Sequence, residues 1–370
     1  MSTEQNKRKG VTQTMKLGVL FGGVSSEHSV SCVSAASVLR NLDKAKYDIC
    51  AVGITQDGRW FYYPDHDEAL IENGGWEKEA SLVPALLSPD RSAHGLVLLR
   101  DGGYETFRLD CVFPVLHGMG GEDGTVQGLL ELAGIPYVGC GVAASANSMD
   151  KSITKVLVDA AGVRQARYFL ALKYDFERNP EGVVRMAAEH LGAFPVFVKP
   201  CSQGSSVGVA KAKDMVELAE GLTAAFRLDD KVLIEEFIDG HEVECAVLGN
   251  HEPVASTVGE VAPTQEFYTF DAKYKDESSK LYIPAQITPQ QLETVRRNAL
   301  RVYRALDCRG LSRVDFFVTH ETGEVVFNEL NAIPGFTSIS MYPKLFDYVG
   351  VGYAELLDRL IGFALEERHG

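Results

Sequence analysis

The sequence has no excess of positive charge and no cysteine pattern typical of a metal or disulfide framework. Among 370 residues, 36 Lys and Arg stand against 51 Asp and Glu, giving a formal net charge of −15. DNA and RNA binding draw on clustered Lys and Arg, so this balance argues against a nucleic acid as the main partner. The seven cysteines are scattered and form no CxxC pair, which favours free thiols that pack as small hydrophobic side chains.

Long apolar runs are lacking as well. No stretch of about 18 apolar residues occurs, and the N-terminus has no apolar segment of the signal-peptide kind. We therefore expect a cytoplasmic protein without membrane contact. Residues 1–14 are polar and without period, which predicts a disordered tail. There are no internal repeats, and the length allows two or three domains.

The first part of the chain alternates apolar runs with helical segments, which predicts an α/β fold. We expect a helix after the first strand, capped by Ser25 or Ser26. Together these elements predict a doubly wound domain with a parallel sheet over residues 15–139. The predicted strands are KLGVLF (16–21), YDICAVGIT (47–55), a run near LDCVFPVLHG (109–118) and IPYVG (135–139), with a further helix at VQGLLELAG (126–134).

Two further domains are expected after residue 139. Residues 140–237 hold a predicted helix from Met149 to Ala161, then strands at FPVFVKP and KVLIEEFI with a helix between them. Residues 238–370 hold a predicted β-hairpin. Inside this last domain, residues 260–285 have no clear period and are rich in tyrosine and charge. A long irregular stretch inside a compact enzyme predicts a functional lid.

The most informative stretch is LSRVDFFVTHETGEVVFNELNAIPG, residues 311–335. Two apolar-rich runs flank a Glu-Thr-Gly turn signal, which predicts a hairpin. Asp315 then faces Glu329, Arg313 faces Asn331, and all four side chains project from one face. Opposed carboxylates repel unless a cation lies between them, and such oxygen ligands suit Mg²⁺. A metal–nucleotide site and a solvated charged face both fit this pattern.

Two other features favour bound phosphate. The loop KPCSQGSSVG (199–208) follows an apolar strand that delivers Lys199. Its glycines let the backbone approach an anion, and Ser205 and Ser206 add hydroxyl donors. No GxxxxGK[ST] motif occurs, so the loop is not a Walker A motif. Lys151 stands in the first turn of its helix, which we expect Ser148 to cap; a lysine there opposes the helix dipole, and a bound phosphate explains its position.

These features, in their order along the chain, resemble the ATP-grasp superfamily. Within it, seven motifs resemble the D-alanine–D-alanine ligase family, and the resemblance runs from Lys16 to the C-terminus. The motifs are FGGVSSEHSVS (21–31), LHGMGGEDGTVQG (116–128), SMDK (148–151), KPCSQGSSVGV (199–209), EEFIDGHEVECAVLG (235–249), EFYTFDAKY (266–274) and NELNAIPGFTSISMYP (328–343).

The resemblance implies a three-domain ATP-grasp enzyme that joins two D-alanines through an acyl phosphate, for peptidoglycan precursor synthesis. It implies ATP as substrate, two Mg²⁺ ions (or Mn²⁺) and a cytoplasmic homodimer. It also assigns roles to residues. The implied metal ligands are Asp315, Glu329 and Asn331; the nucleotide site is Lys151, Lys199, Ser206, Glu235, Glu236, Ile238 and Glu242; the catalytic residues are Glu27, Ser205, Tyr274, Arg313 and Gly335; the substrate site is His117, Tyr268, Lys273, Ser340 and Met341.

In this family the acid corresponding to Glu27 would hold the ammonium of the first D-alanine. Glu27, Ser205 and Tyr274 would form a hydrogen-bonded set that closes the site and takes part in deprotonating the second amine. Arg313 and the N–H of Gly335 would stabilise the oxyanion. The sequence departs from many relatives at two positions: Glu236 replaces a common lysine, which weakens that side-chain assignment, and Ser29 replaces an acid.

Three alternatives stay open from the sequence. GCGVAA (139–144) after IPYV matches the GxGxxA pattern of a Rossmann dehydrogenase. A non-catalytic nucleotide-binding module would also use the phosphate features. Within the ATP-grasp enzymes, a ligase for D-lactate or D-serine as second substrate is the closest rival. The resemblance implies that Tyr274 favours a D-amino acid.

Overall fold

A computed structural model of the chain describes residues 14–262 and 280–366. The predicted tail therefore lies outside the described residues, apart from its last position. Most of the predicted lid lies outside them too, including Tyr268, Lys273 and Tyr274. Three sheets organise the described part of the chain.

The first sheet has a parallel centre and an antiparallel extension. Strands β1 (Met15–Gly22), β2 (Tyr47–Ile54) and β7 (Cys111–Pro114) pair in parallel, with β1 in the middle. This centre confirms the predicted α/β organisation. Four short antiparallel strands, which the sequence did not reveal, extend the sheet beyond β2 in the order β6-β5-β4-β3: β3 (Trp60–Tyr63), β4 (Val83–Leu87), β5 (Gly95–Arg100) and β6 (Gly103–Arg108).

The helices of this region are α1 (His28–Asn41), α2 (Glu68–Asn73) and α3 (Thr125–Ala133), with a 3₁₀ turn at Gly75–Lys78. The predicted serine cap of α1 is wrong. Its N-cap residue is Glu27, because the Ser25 hydroxyl instead accepts the Glu27 N–H and donates to the His117 carbonyl. The cap position thus directs an acid, not a serine, towards the neighbouring loop.

The segment IPYVG is not a strand. A single parallel bridge joins Tyr137 to Val112, and α4 (Val142–Met149) starts soon after. Without a strand before it, GCGVAA is not part of a βαβ unit, so the Rossmann alternative is wrong. Helix α5 (Lys151–Ala160) follows, and its cap is Asp150, which accepts the N–H groups of the first turn. Ser148 cannot cap α5 because it belongs to α4.

The second sheet is antiparallel and has the order β10-β9-β11-β8. Its central strands are the predicted FPVFVKP and KVLIEEFI runs, and the predicted helix between them is present. The elements are β8 (Tyr168–Leu172), α6 (Lys173–Arg178), α7 (Pro180–Leu191), β9 (Val196–Pro200), β10 (Ala210–Ala212), α8 (Met215–Ala225) and β11 (Lys231–Glu236).

The third sheet, also antiparallel, has the order β14-β13-β12-β15-β16 and contains the predicted hairpin as its last two strands. A hydrophobic cluster joins it to the first sheet: Phe113 of β7 packs edge-on against Phe336, with ring centroids 5.8 Å apart. The elements are β12 (Gly240–Leu248), β13 (Val254–Ala262), β14 (Lys280–Tyr282), α9 (Pro289–Ala305), β15 (Leu311–Thr319), β16 (Val325–Asn331), α10 (Met341–Tyr348) and α11 (Tyr353–Glu366).

The cysteines and the apolar character of the helices both bear on the sequence predictions. All seven cysteines are buried and free, as expected for thiols that pack as small hydrophobic side chains. Within residues 14–262 and 280–366, no helix has the length and apolar character needed to cross a membrane.

Candidate active site

A cavity of about 450 Å³ opens where the three sheets meet. The first sheet contributes the loops after β1 and β7, the second contributes the loop after β9, and the third contributes the hairpin and the segment after it. Twelve predicted site residues line the cavity: Glu27, His117, Lys151, Lys199, Ser205, Glu235, Arg313, Glu329, Asn331, Gly335, Ser340 and Met341.

The hairpin has the predicted register. Arg313 lies opposite Asn331 and Asp315 opposite Glu329, and a bulge follows at Asn328. Asp315 is only 3% exposed, so the charged face is turned inwards and the solvated-face alternative is wrong. The sheet pleat thus brings two acids, an amide and an arginine to one side of the protein.

Arg313 is held between two carboxylates. Its Nε and Nη2 donate to the two oxygens of Asp315 at 2.8 and 2.6 Å, and its Nε lies 3.0 Å from Oε2 of Glu244. Burial favours the neutral guanidinium, but these acids outweigh it and raise the pKa of Arg313 well above its usual value. Glu244 was not predicted; it faces Asp315 across the β12–β15 pair, a pairing that no local pattern reveals.

The hairpin residues fit Mg²⁺ by their chemistry. Asp315 and Glu329 offer carboxylate oxygens and Asn331 an amide oxygen, the hard ligands that this ion prefers. The Asn331 Nδ2 donates to Asp315 at 3.0 Å, and turning the amide over would present its oxygen there instead. No group of three or more His, Cys, Asp or Glu side chains among the described residues is arranged to hold a metal, so the magnesium site stays a prediction.

Helix α5 and the second sheet together contribute a cluster of two lysines around one acid. Glu235 lies 2.6 Å from Nζ of Lys199 and 2.5 Å from Nζ of Lys155. Burial alone would raise the pKa of Glu235, but the two ammonium groups outweigh it and lower the pKa to about 2. Burial lowers the pKa of Lys155, which is 2% exposed. Lys199 also reaches Oδ1 of Asn328 at 3.3 Å, so the cluster touches the hairpin.

Lys155 was missed because a lysine in a helix is usually solvated. It lies one helical turn after Lys151, and residues four apart share a helix face. Lys151 itself reaches the phosphate loop, where its Nζ donates to the carbonyl of Gln203 at 2.7 Å. The spacing of the two lysines was therefore the available signal.

The phosphate loop has a strained backbone and touches the first sheet. Ser205 and Ser206 have φ values of 48° and 60°, a left-handed conformation that costs a non-glycine residue about 1–3 kcal/mol. Strain of this kind concentrates at functional sites. The Ser205 hydroxyl donates to Glu27, so two members of the predicted Glu27–Ser205–Tyr274 set are in contact; Tyr274 lies outside the described residues.

Glu27 is 6% exposed and is enclosed by glycines from two loops. A Cβ added at Gly118 or at Gly204 would approach its Oε2 to 2.7 Å. Any side chain at these positions would displace the carboxylate. The glycines of the two motifs therefore let both backbones close around this acid.

Two titratable residues of the loop after β7 also lie in the cavity. Burial lowers the pKa of His117, so the ring is neutral near pH 7. Burial, followed by the charge of Glu27, raises the pKa of Glu122 to about 8. Glu122 was not predicted as a site residue, although it stands in the motif LHGMGGEDGTVQG.

Gly335 and Ser340 lie close together after the hairpin. A Cβ at Gly335 would come within 2.8 Å of the Ser340 Oγ, which also accepts the Thr337 N–H at 3.0 Å. Ser340 is the N-cap residue of α10, and Met341 is its first residue. The N-terminus of this helix therefore opens into the cavity.

Several predicted residues do not line the cavity. Glu236 points away from it and pairs with Arg167 at 2.8 Å and Arg164 at 3.2 Å, which lowers its pKa although burial opposes the shift. Asp315, which accepts two hydrogen bonds from Arg313, is also absent from the lining. The remaining predicted residues that are described but absent from the lining are Ser206, Ile238 and Glu242.

Comparison with known proteins covers nearly the whole chain. Residues 16–140 match the D-ala D-ala ligase N-terminus family, and residues 157–362 match the D-ala D-ala ligase C-terminus family. The D-alanine–D-alanine ligase of Acetivibrio thermocellus is 51% identical over 360 residues, covering 94% of this chain and 95% of the relative. The D-alanine–D-alanine ligase of Caldicellulosiruptor bescii is 47% identical, covering 95% of this chain and 96% of the relative.

Two solved structures have the same overall arrangement. The VanG D-Ala:D-Ser ligase from Enterococcus faecalis is 40% identical with a TM-score of 0.86, covering 95% of this chain and 100% of that one. The D-alanine–D-alanine ligase from Coxiella burnetii is 35% identical with a TM-score of 0.83, covering 96% of each chain. The similarity in fold therefore extends over nearly the whole chain.

Proposed function

We propose that this chain, which belongs to the D-alanine–D-alanine ligase family, joins two D-alanines for peptidoglycan precursor synthesis. Family membership makes the protein an ATP-dependent ligase, as the motifs predicted. One observation carries the assignment of roles. A single cavity brings together a buried acid from the loop after β1, lysines from α5 and β9, and the arginine of the hairpin.

The first proposed step forms an acyl phosphate. The carboxylate of the first D-alanine attacks the γ-phosphorus of ATP, and ADP leaves. Glu27 holds the ammonium of that D-alanine, while Lys151 and Lys199 neutralise phosphate charge. Mg²⁺ bound by Asp315, Glu329 and Asn331 would supply Lewis-acid polarisation of the phosphate oxygens.

The second proposed step forms the peptide bond. The amine of the second D-alanine, after losing a proton, attacks the acyl carbonyl, and phosphate leaves from the tetrahedral intermediate. The contact between Ser205 and Glu27 supports a role for this pair in accepting that proton. Arg313 and the Gly335 N–H donate to the oxyanion, and one such donor is typically worth about 3–4 kcal/mol of barrier.

The second substrate presents a carboxylate, and we assign it to the N-terminus of α10. The N–H groups of the first turn donate no hydrogen bond to the Ser340 side chain. Together with the helix dipole they favour an anion there, and Ser340 adds a hydroxyl. Lys273, Tyr268 and Tyr274 complete this proposed subsite but lie outside the described residues. The choice of second substrate is set at this end of the cavity.

A ligase that uses D-serine as second substrate is the alternative that one comparison favours. The E. faecalis relative is a D-Ala:D-Ser ligase, and it shares the fold over its full length. D-lactate is the other candidate from the sequence. Both alternatives keep the first step and change the second.

The test is phosphate release with ATP, Mg²⁺ and a panel of D- and L-amino acids and D-lactate. We expect release that depends on D-alanine alone, with D-alanyl-D-alanine as the product. Preference for a mixed D-alanyl-D-serine product would favour the alternative ligase. Nucleotide binding with no release for any acceptor would favour the non-catalytic module and refute the proposal.

We further propose domains at residues 15–139, 140–237 and 238–370, and a homodimer that acts in the cytoplasm. The three separate sheets support these boundaries. Sedimentation of the purified protein would test the dimer: a monomer at micromolar concentration contradicts it.

A further inference from the structure

We propose that Glu122 and Ser34 are positioning residues for the Gly335 N–H, so that the first sheet holds the oxyanion donor of the third. The inference rests on the proposed function, in which Gly335 donates to the oxyanion. Neither residue is a direct partner of the reacting atoms. Each acts through the backbone of the segment that carries Gly335.

Glu122 joins two loops that are far apart in sequence. Its Oε2 accepts the Gly118 N–H at 2.7 Å, and its Oε1 accepts the Ile333 N–H at 3.2 Å across 211 residues of chain. One oxygen therefore fixes the carboxylate in its own loop, and the other holds the start of the Gly335 segment. The carboxylate is the only part of the side chain that can make both contacts.

Ser34 holds the other end of the same segment. Its hydroxyl oxygen accepts the Phe336 N–H at 3.3 Å and lies 3.0 Å from Nε2 of His117. A neutral imidazole has one donor and one acceptor nitrogen, so Nε2 of His117 can share a hydrogen bond with the Ser34 hydroxyl in either direction.

The geometry of the segment explains why these contacts matter for one donor. Ile333 and Phe336 are held by their N–H groups, and Pro334 has none. Gly335 therefore carries the one backbone donor between the two anchored positions. A glycine without such anchors would sample many orientations, and an oxyanion donor is effective only when it is fixed in advance.

The location of the anchors links catalysis to contact between domains. Both anchors belong to the region of the first sheet, because Ser34 lies in α1 and Glu122 lies in the loop after β7. The donor belongs to the third sheet. The oxyanion site is thus complete only when these two parts of the protein are in contact.

The test compares steady-state kinetics of Glu122→Ala, Glu122→Gln and Ser34→Ala with wild type. We expect a kcat about 10- to 100-fold lower for Glu122→Ala, with the KM for ATP within about twofold, because a misdirected oxyanion donor affects the transition state alone. Glu122→Gln retains one acceptor oxygen and should recover part of the loss. Ser34→Ala should lower kcat in the same way.

Asp123→Asn is the matched control. Asp123 lies beside Glu122 and accepts the Gly120 and Thr125 N–H groups, so it supports the same loop without contacting Ile333. We expect a kcat near that of wild type. A kcat for Glu122→Ala within twofold of wild type, or an equal loss in Asp123→Asn, overturns the inference.

Two further outcomes keep the test decisive. If Glu122→Ala does not fold, Ser34→Ala decides alone, and an unchanged kcat overturns the inference. A wild-type protein that releases no phosphate with D-alanine refutes the proposed function itself, which is a different result from active wild type with unaffected variants.

Discussion

Two buried charge clusters lie at the cavity, and they are unbalanced in opposite senses. The lysine cluster consists of Lys155, Lys199 and Glu235, with two cations around one acid. The arginine cluster consists of Arg313, Asp315 and Glu244, with two acids around one cation. Counted by these ion pairs alone, the lysine cluster has one excess positive charge and the arginine cluster one excess negative charge, while Glu329 also acts on both Lys199 and Arg313.

The difference indicates what each end of the cavity is built to receive. An uncompensated buried charge is costly, so such groups persist where a ligand completes the balance. Excess positive charge in the lysine cluster suits phosphate groups, and excess negative charge in the arginine cluster suits a cation. The opposite imbalances thus fit the nucleotide and the Mg²⁺ of the proposed function.

Removing Arg313 should have the largest effect. Arg313→Ala deletes a proposed oxyanion donor, so we expect kcat to fall about 100- to 1,000-fold while the KM for ATP stays nearly constant. It also leaves Asp315 and Glu244 without their shared partner, which lowers stability. Phosphate-release kinetics at saturating ATP measure the first effect, and thermal unfolding measures the second.

Arg313→Lys separates these two effects. The lysine keeps the positive charge but not the planar, two-pronged donor of arginine. Stability should recover largely and kcat only partly. A fully active Arg313→Ala variant would contradict the catalytic role.

Loss of the acid from the lysine cluster should have the second-largest effect, which is on stability. Glu235→Gln leaves two buried ammonium groups side by side. The Glu235 pKa falls from about 4.5 to about 2 on folding, and such a shift corresponds to stabilisation on the order of 3 kcal/mol. Because the folded-state pKa is lowered, this stabilisation is present above pH ~4.5 and is lost as the pH falls towards ~2. Urea unfolding of both proteins at pH 7 and pH 3 measures it.

The arginine cluster supplies the matched variant. Glu244→Gln removes one of two acids and leaves Arg313 paired with Asp315, so it should cost less stability than Glu235→Gln. If the free energy of unfolding falls equally in Glu244→Gln and Glu235→Gln, the opposite charge imbalance of the two clusters does not affect stability.

Lys199→Ala should weaken nucleotide binding more than it changes turnover. A hydrogen bond to a charged group is worth about 1.5–3 kcal/mol, so we expect the KM for ATP to rise about 10- to 100-fold. Lys173→Ala is the control, since Lys173 pairs with Asp230 on the surface of the same region. Equal KM values for ATP in the Lys199→Ala variant and wild type would contradict the assignment of phosphate binding to the lysine cluster.

The sequence predicted some members of each cluster and missed others: Glu244 of the arginine cluster and Lys155 of the lysine cluster. Strand side chains alternate with period 2, so one turn signal was enough to pair Asp315 with Glu329. Glu244 was not predictable, because its place beside Asp315 depends on strand pairing across about 70 residues. Glu122 escaped prediction for the same physical reason, because its partner Ile333 lies 211 residues further along the chain. Lys155 differs, because its spacing from Lys151 on one helix face was a local signal that the usual solvation of helical lysines hid.

The smallest effect is expected at Glu236, next to the lysine cluster in sequence but facing away from it. Its side chain is 16% exposed and pairs with Arg167 and Arg164, which are about half-exposed. Ion pairs with an exposed partner are worth at most about 1 kcal/mol, so Glu236→Gln should shift stability by less than that. The KM for ATP should not change, because the Glu236 side chain pairs with two arginines and does not line the cavity. If the KM for ATP rose as much as in Lys199→Ala, the Glu236 side chain would reach the nucleotide. The nucleotide site would then extend beyond the lysine cluster to the neighbouring residue in sequence.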